Sequence, residues 1–141
     1  MSARSKARKR AFQIIFEADQ RDARVTDVLD SWLAHAREDP RQPPVNEYAV
    51  ELIEGYAANA PRIDELISQY AVGWTLDRMP VVDRCILRLG AYELIWSEDT
   101  PEAVVIDEAV QLAREFSTDE SPSFVNGLLA RLKDLKPSLR R

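Results

Sequence analysis

The chain has 141 residues, 45% of them apolar and 30% charged, the proportions of one folded globular domain rather than of a disordered or fibrous chain. A single cysteine, Cys85, excludes an internal disulfide, and a single histidine, His35, leaves no Cys/His cluster for zinc. The net charge of −5 hides a segregation: Arg4, Lys6, Arg8, Lys9 and Arg10 stand in the first ten residues without an acid, and setting those five aside leaves 14 basic against 24 acidic groups, net −10, a local anion-binding element on an acidic body.

From the N-terminus onward the periodicity is helical. A first helix is expected from about Ser5 to Arg21, with Ala7, Ala11, Ile14, Ile15 and Ala18 on its buried stripe. Shorter helices follow, carrying Val28, Leu29, Trp32 and Leu33, then, after a loop with Pro40, Pro43 and Pro44, Tyr48, Leu52, Ile53 and Tyr56. Pro61 is expected to end or restart the pattern near Asn59, and a further turn of helix uses Ile63, Leu66, Ile67 and Tyr70 before a break at Gly73-Trp74. The most hydrophobic segment, about Pro80 to Trp96, is apolar on more than one side and reads as a central helix. Thr100-Pro101 and Ser121-Pro122 are start signals for two more helices, bearing Val105, Ala109, Leu112, Ala113 and Phe116, and Val125, Leu128, Leu132 and Leu135, with Pro137 as the final stop. The expected fold is all-α, one domain over 1–141, with two small helical sub-bundles, about 5–72 and 75–136, sharing one core. No apolar run approaches the ~20 residues that span a bilayer, and the N-terminus lacks the apolar stretch of a secretory signal. The expected compartment is the cytoplasm.

Drawn as a wheel, the first helix places Lys6, Lys9 and Arg10 opposite the apolar stripe, with Phe12 and Phe16 on the flank beside Arg8 and Lys9. Phosphates call for the charges and unstacked bases for the rings, so the interleaving suits single-stranded RNA better than duplex DNA. The plainer alternative is a solvated terminus with both rings in the core. Enzymatic readings are poorer: His35 stands alone, no two of the four glycines form a phosphate loop, and the adjacent Asp107 and Glu108 point about 100° apart on a helix. Glu93 falls within the apolar face of the central helix and calls for a partner, for which catalysis is one explanation and a structural hydrogen bond to a helix N-terminus or an arginine the commoner one. Arg84 and Arg88, at i and i+4, fit either an RNA contact or a solvated strip.

Three segments, ARKRAFQIIFEAD at 7–19, VVDRCILRLGAYEL at 81–94 and VVIDEAVQLAREFSTDESPSFVNGLL at 104–129, resemble the NusB family of transcription antitermination factors. The resemblance implies two three-helix sub-bundles and a protein that pairs with the ribosomal small-subunit protein NusE. It implies that the pair recognises boxA RNA in ribosomal RNA leaders and supports antitermination by RNA polymerase, with no cofactor or metal and no membrane.

Carried over by position, the resemblance implies that Arg4, Lys6, Arg8, Lys9 and Arg10 engage phosphates, that Phe16 and Phe124 stack on bases, and that Asp83, Arg88 and Glu120 read polar edges. Carboxylates near RNA can accept hydrogen bonds from base amino groups or a ribose 2′-hydroxyl. Two departures stand out: Ser123 precedes FVNG where the family commonly has a basic residue, and Phe16 lacks the hydroxyl of a tyrosine. A related fold also occurs attached to RNA methyltransferases, but with the sequence ending at Arg141 no cofactor-binding domain is expected. Still open are a homodimer of the free protein and, as the competing function, a helical protein–protein adaptor with an incidental basic terminus.

Overall fold

A computed structural model describes residues 2–139, which form six α-helices and no strand: α1 (Ala3–Arg21), α2 (Val25–Glu38), α3 (Glu47–Tyr70), α4 (Val81–Trp96), α5 (Glu102–Phe116) and α6 (Ser121–Leu139), with a short 3-10 turn at Leu76–Arg78. The all-α expectation holds. The chain divides into two compact units, residues 1–58 and 59–141, so that the division falls inside α3.

In the first unit, α1 packs on α2. The Ser2 hydroxyl accepts the Ser5 amide at 3.0 Å and so caps the start of α1. At its other end Asp22 takes the left-handed conformation (φ 50°), and the Ala23 amide donates back to the Ala18 carbonyl at 2.9 Å. That pair closes the helix as a glycine usually would, a role the short polar side chain of Asp tolerates. Asn46 opens α3: its side-chain oxygen accepts the Tyr48 amide at 2.7 Å, and its carbonyl accepts the amides of Ala49 and Val50.

Pro61 does not end the pattern, because α3 runs through it. The proline lacks an amide to donate and its ring crowds the carbonyl four residues back, at about 3 kcal/mol or more. Against this, Ala49, Leu52, Ile53 and Tyr56 before it and Ile63, Leu66 and Ile67 after it keep one continuous i, i+3, i+4 stripe, and all are buried. Several large side chains at about 1.5–3 kcal/mol each outweigh one proline, whose own ring lies exposed.

In the second unit α4, α5 and α6 pack pairwise. Cys85, Ile86, Leu87, Leu89, Ala91, Leu94 and Ile95 are all buried, which is why α4 reads as apolar on more than one side. At Gly90 the backbone of α4 lies so close to α6 that an added Cβ would stand 3.0 Å from a Leu129 methyl. Glu93 is 2% exposed, and no buried side-chain nitrogen or oxygen among the described residues lacks a hydrogen-bond partner. Pro101 occupies the position before α5, so that helix starts one residue later than Thr100-Pro101 suggests. Pro137 sits inside the last turn of α6, which ends two residues beyond it. Among the described residues no helix is long and apolar enough to cross a membrane.

Candidate nucleic-acid interface

The cations of α1 stand at the wrong end of the helix for its stability. A helix N-terminus carries about half a positive charge and favours acids, yet the first turn of α1 holds none and the run from Arg4 to Arg10 is basic. Helix formation therefore does not explain their presence. The buried residues Ala7, Arg8, Ala11, Phe12, Ile14, Ile15 and Ala18 cover an arc of roughly 160° at about 100° per residue. Lys6, Lys9, Arg10 and Phe16 lie on the complementary open side. Lys6 is exposed, and Lys9, Arg10 and Phe16 are half-buried.

Two expectations are corrected here. Arg8 is 4% exposed and Phe12 is 3% exposed, so neither lies on the accessible flank. The physical reason is the width of the buried arc: Arg8 falls between Ile15 and Phe12 on the wheel, inside the buried sector rather than beside it. A buried guanidinium must be matched within the fold. Arg8 lies with its guanidinium carbon 5.6 Å from the centre of the Tyr48 ring, and Arg4 lies over the same ring at 4.3 Å. Tyr48, set in place by Asn46, thus steadies the start of α1. Phe16 keeps a tilted contact with Phe12, ring centres 6.2 Å apart.

In the second unit the polar side of α4 faces inward partners. Asp83, in the first turn of α4, is 3% exposed and accepts hydrogen bonds from the hydroxyls of Ser117 and Ser121. The Ser121 hydroxyl also lies 2.9 Å from that of Ser117 and 2.7 Å from that of Thr118. This network staples the turn between α5 and α6 to the start of α4, and it draws Ser121 inward. Arg84 donates to the Leu76 carbonyl at 2.9 Å, and Arg88 forms a two-pronged pair with Asp64 at 2.9 and 3.1 Å. Arg84 and Arg88 thus form neither a solvated strip nor an open contact. Asp83 and Arg88, expected to read RNA edges, have their polar atoms engaged inside the fold.

Above the Asp83 staple lies a cavity of 460 Å³ whose walls include Trp74, Pro80, Thr118, Asp119, Glu120 and Phe124. The structure thereby brings Glu120 and Phe124 together. It adds Trp74, 48% exposed, which follows Gly73 at φ 81°. The sequence shows this tryptophan only as part of a helix break, and its exposure on a cavity shared with Phe124 is the signal that marks it. Nearby, the Asp77 carboxyl is held below its ordinary value, chiefly by a hydrogen bond from the Thr75 side chain. Among the described residues no basic side chain lines this cavity, so it suits bases rather than phosphates. A larger open cavity of 960 Å³ along α5 and α6 sets Asp107, Asp119 and Asp134 against Arg114 and Lys133, a mixture with no pull on a polyanion. No group of three or more His, Cys, Asp or Glu among the described residues is placed to hold a metal ion.

The chain matches the sequence profile of the NusB family over residues 5–134. The transcription antitermination protein NusB of Streptomyces avermitilis is 72% identical over 141 residues, spanning all of this chain and 98% of that one. Among solved structures, NusB of T. maritima superposes with a TM-score of 0.82 at 36% identity, covering 95% of this chain and 92% of that one. A crystal structure of antitermination factors NusB and NusE in complex with dsRNA matches with a TM-score of 0.78 at 26% identity, covering 93% and 96%.

Proposed function

The chain belongs to the NusB family, and on that footing we propose that it is a cytoplasmic transcription antitermination factor that acts by binding single-stranded RNA and not by catalysis. Its target is boxA of ribosomal RNA leaders, its partner a NusE-type ribosomal protein, and its setting the antitermination complex with RNA polymerase. The observation that carries this reading is the charge of α1: Lys6, Lys9 and Arg10 lie opposite its buried arc and no acid stands in its first turn, a side suited to a polyanion. The solved assembly of NusB and NusE with dsRNA supports an RNA and a NusE-type partner, while the choice of a single strand rests on the stacking faces.

The roles divide in two. Arg4, Lys6, Lys9 and Arg10 meet phosphates, Phe16, Phe124 and Trp74 offer stacking faces, and Glu120 accepts from base amino groups or a 2′-hydroxyl. Arg8, Asp83 and Arg88 hold these elements in place from within. With a body of net −10 around few cations, RNA affinity at physiological salt depends on the partner protein. The test is binding to a boxA-like single strand and to a scrambled one, with and without the NusE-type protein, for the natural chain and for Arg10→Ala plus Phe124→Ala. A preference for the boxA-like strand that the partner strengthens and the substitutions remove is expected. Equal binding to both strands, or no effect of the substitutions, would favour the adaptor reading.

A further inference from the structure

Arg10 faces a second feature that the RNA reading leaves unused. On α2, Val28 and Leu29 are buried, but Trp32, one turn on, is only half-buried. Its indole nitrogen donates to Glu17 at 3.2 Å, and the other Glu17 oxygen pairs with Arg21 at 2.9 Å. The indole is thus fixed in orientation by a carboxylate that is itself braced. The guanidinium carbon of Arg10 lies 5.8 Å from the centre of the Trp32 ring. Beside this pair opens a cavity of 340 Å³ lined also by Ser31, His35 and Gln42.

We infer that this cavity is a nucleotide subsite at one end of the RNA path, where a base stacks against Trp32 and Arg10, and Ser31, His35 and Gln42 reach its edge. The inference rests on the proposed RNA reading and extends it by one position. Its occupant follows from the lining. An indole and a guanidinium offer flat faces that suit the π-face of any base. Of the charged side chains, Glu17 is engaged by Trp32 and Arg21, which leaves Arg10 to set the sign and so to attract a phosphate. Hydroxyl, imidazole and amide groups supply both donors and acceptors, and a base edge uses both whereas a carboxylate uses only the donors. Arg10 also belongs to the open side of α1, so a strand lying along that side reaches the cavity without a break. An acidic peptide would use the guanidinium and the donors and leave the indole face unmatched.

The experiment compares a boxA-like single strand with the same strand lengthened by about three nucleotides at either end, a span within one single-strand site. With the NusE-type protein present, binding is measured for the natural chain, Trp32→Ala and Trp32→Phe, and the natural chain labelled with 5-fluorotryptophan is followed by fluorine NMR, its three tryptophan signals distinguished by Trp→Phe variants. The natural chain should bind one lengthened strand roughly fivefold to tenfold more tightly than the core strand, the effect of one stacked base. Trp32→Ala should lose that gain with core-strand affinity unchanged, Trp32→Phe should keep most of it, and the Trp32 signal should move only with the lengthened strand.

An unmoved Trp32 signal, or a Trp32→Ala chain that keeps the gain, overturns the subsite while leaving the RNA reading intact. Should Trp32→Ala fail to fold, the fluorine signal and Trp32→Phe decide. If the natural chain binds neither strand with the NusE-type protein present, it is the RNA reading that fails. If hexaglutamate moves the Trp32 signal as much as the lengthened strand does, the cavity belongs to an acidic protein partner.

Discussion

Replacing Asp83 by alanine separates a structural carboxylate from an RNA-reading one. Asp83 is 3% exposed and accepts from two hydroxyls, those of Ser117 and Ser121. A hydrogen bond to a carboxylate contributes about 1.5–3 kcal/mol, so losing two would cost about 3–6 kcal/mol if the donors found nothing else. They do find something, because Ser121 already lies within 2.9 Å of the Ser117 hydroxyl and 2.7 Å of the Thr118 hydroxyl. We therefore expect a net loss of about 2–4 kcal/mol, or roughly 8–15 °C in Tm for a chain of this length. Asp83→Asn, which keeps one acceptor oxygen, should lose about half as much. Thermal unfolding followed by circular dichroism, in buffer without RNA, measures both. A Tm within about 2 °C of the natural chain together with weakened RNA binding would refute this reasoning, since it would make Asp83 an RNA contact rather than a staple.

Other expectations follow from the same geometry. Arg88→Lys should destabilise almost as much as Arg88→Ala, by about 1–2 kcal/mol in denaturant titrations, because the two-pronged, partly buried pair with Asp64 needs a planar fork that lysine lacks. Gly127→Ala should raise stability by about 1 kcal/mol, since nothing lies within 4 Å of the added Cβ on α6. Gly90→Ala should fail to do so: the same helical gain of about 1 kcal/mol meets the buried Leu129 at 3.0 Å, and overpacking costs about 1–3 kcal/mol. The Asp77 carboxyl should titrate below 3.8 by carbon NMR, and Thr75→Val should return it toward that value. With the folded pKa depressed, its support for the turn before α4 is present above the ordinary carboxylate range and is lost as pH falls through the lowered value.

The helices were legible from apolar residues recurring at helical spacing, as in α1 and α4. Pro61 misleads because a local rule about backbone donors meets a stripe that continues on both sides of it, and tertiary burial outweighs the local cost. The candidate interface was legible as charge: Arg4, Lys6, Lys9 and Arg10 stand out from composition alone. What charge does not reveal is direction. Arg8 shares its neighbours' chemistry but lies inside the buried arc, whose breadth a single apolar stripe understates. Asp83 reads as an open carboxylate because its partners, Ser117 and Ser121, lie more than thirty residues away in sequence. Trp74 and Trp32 read as ordinary apolar residues, and only their partial exposure on cavities gives them a role.

The claim that the open side of α1 grips RNA phosphates is tested most directly by salt dependence. The affinity of the partner-bound natural chain for a boxA-like strand should fall linearly on logarithmic axes as salt rises, with a slope of about −0.7 for each phosphate neutralised on a single strand. Replacing Lys6, Lys9 and Arg10 together by alanine should make that slope shallower by about 2 while leaving Tm within a few degrees. An unchanged slope in the folded triple variant would contradict the account.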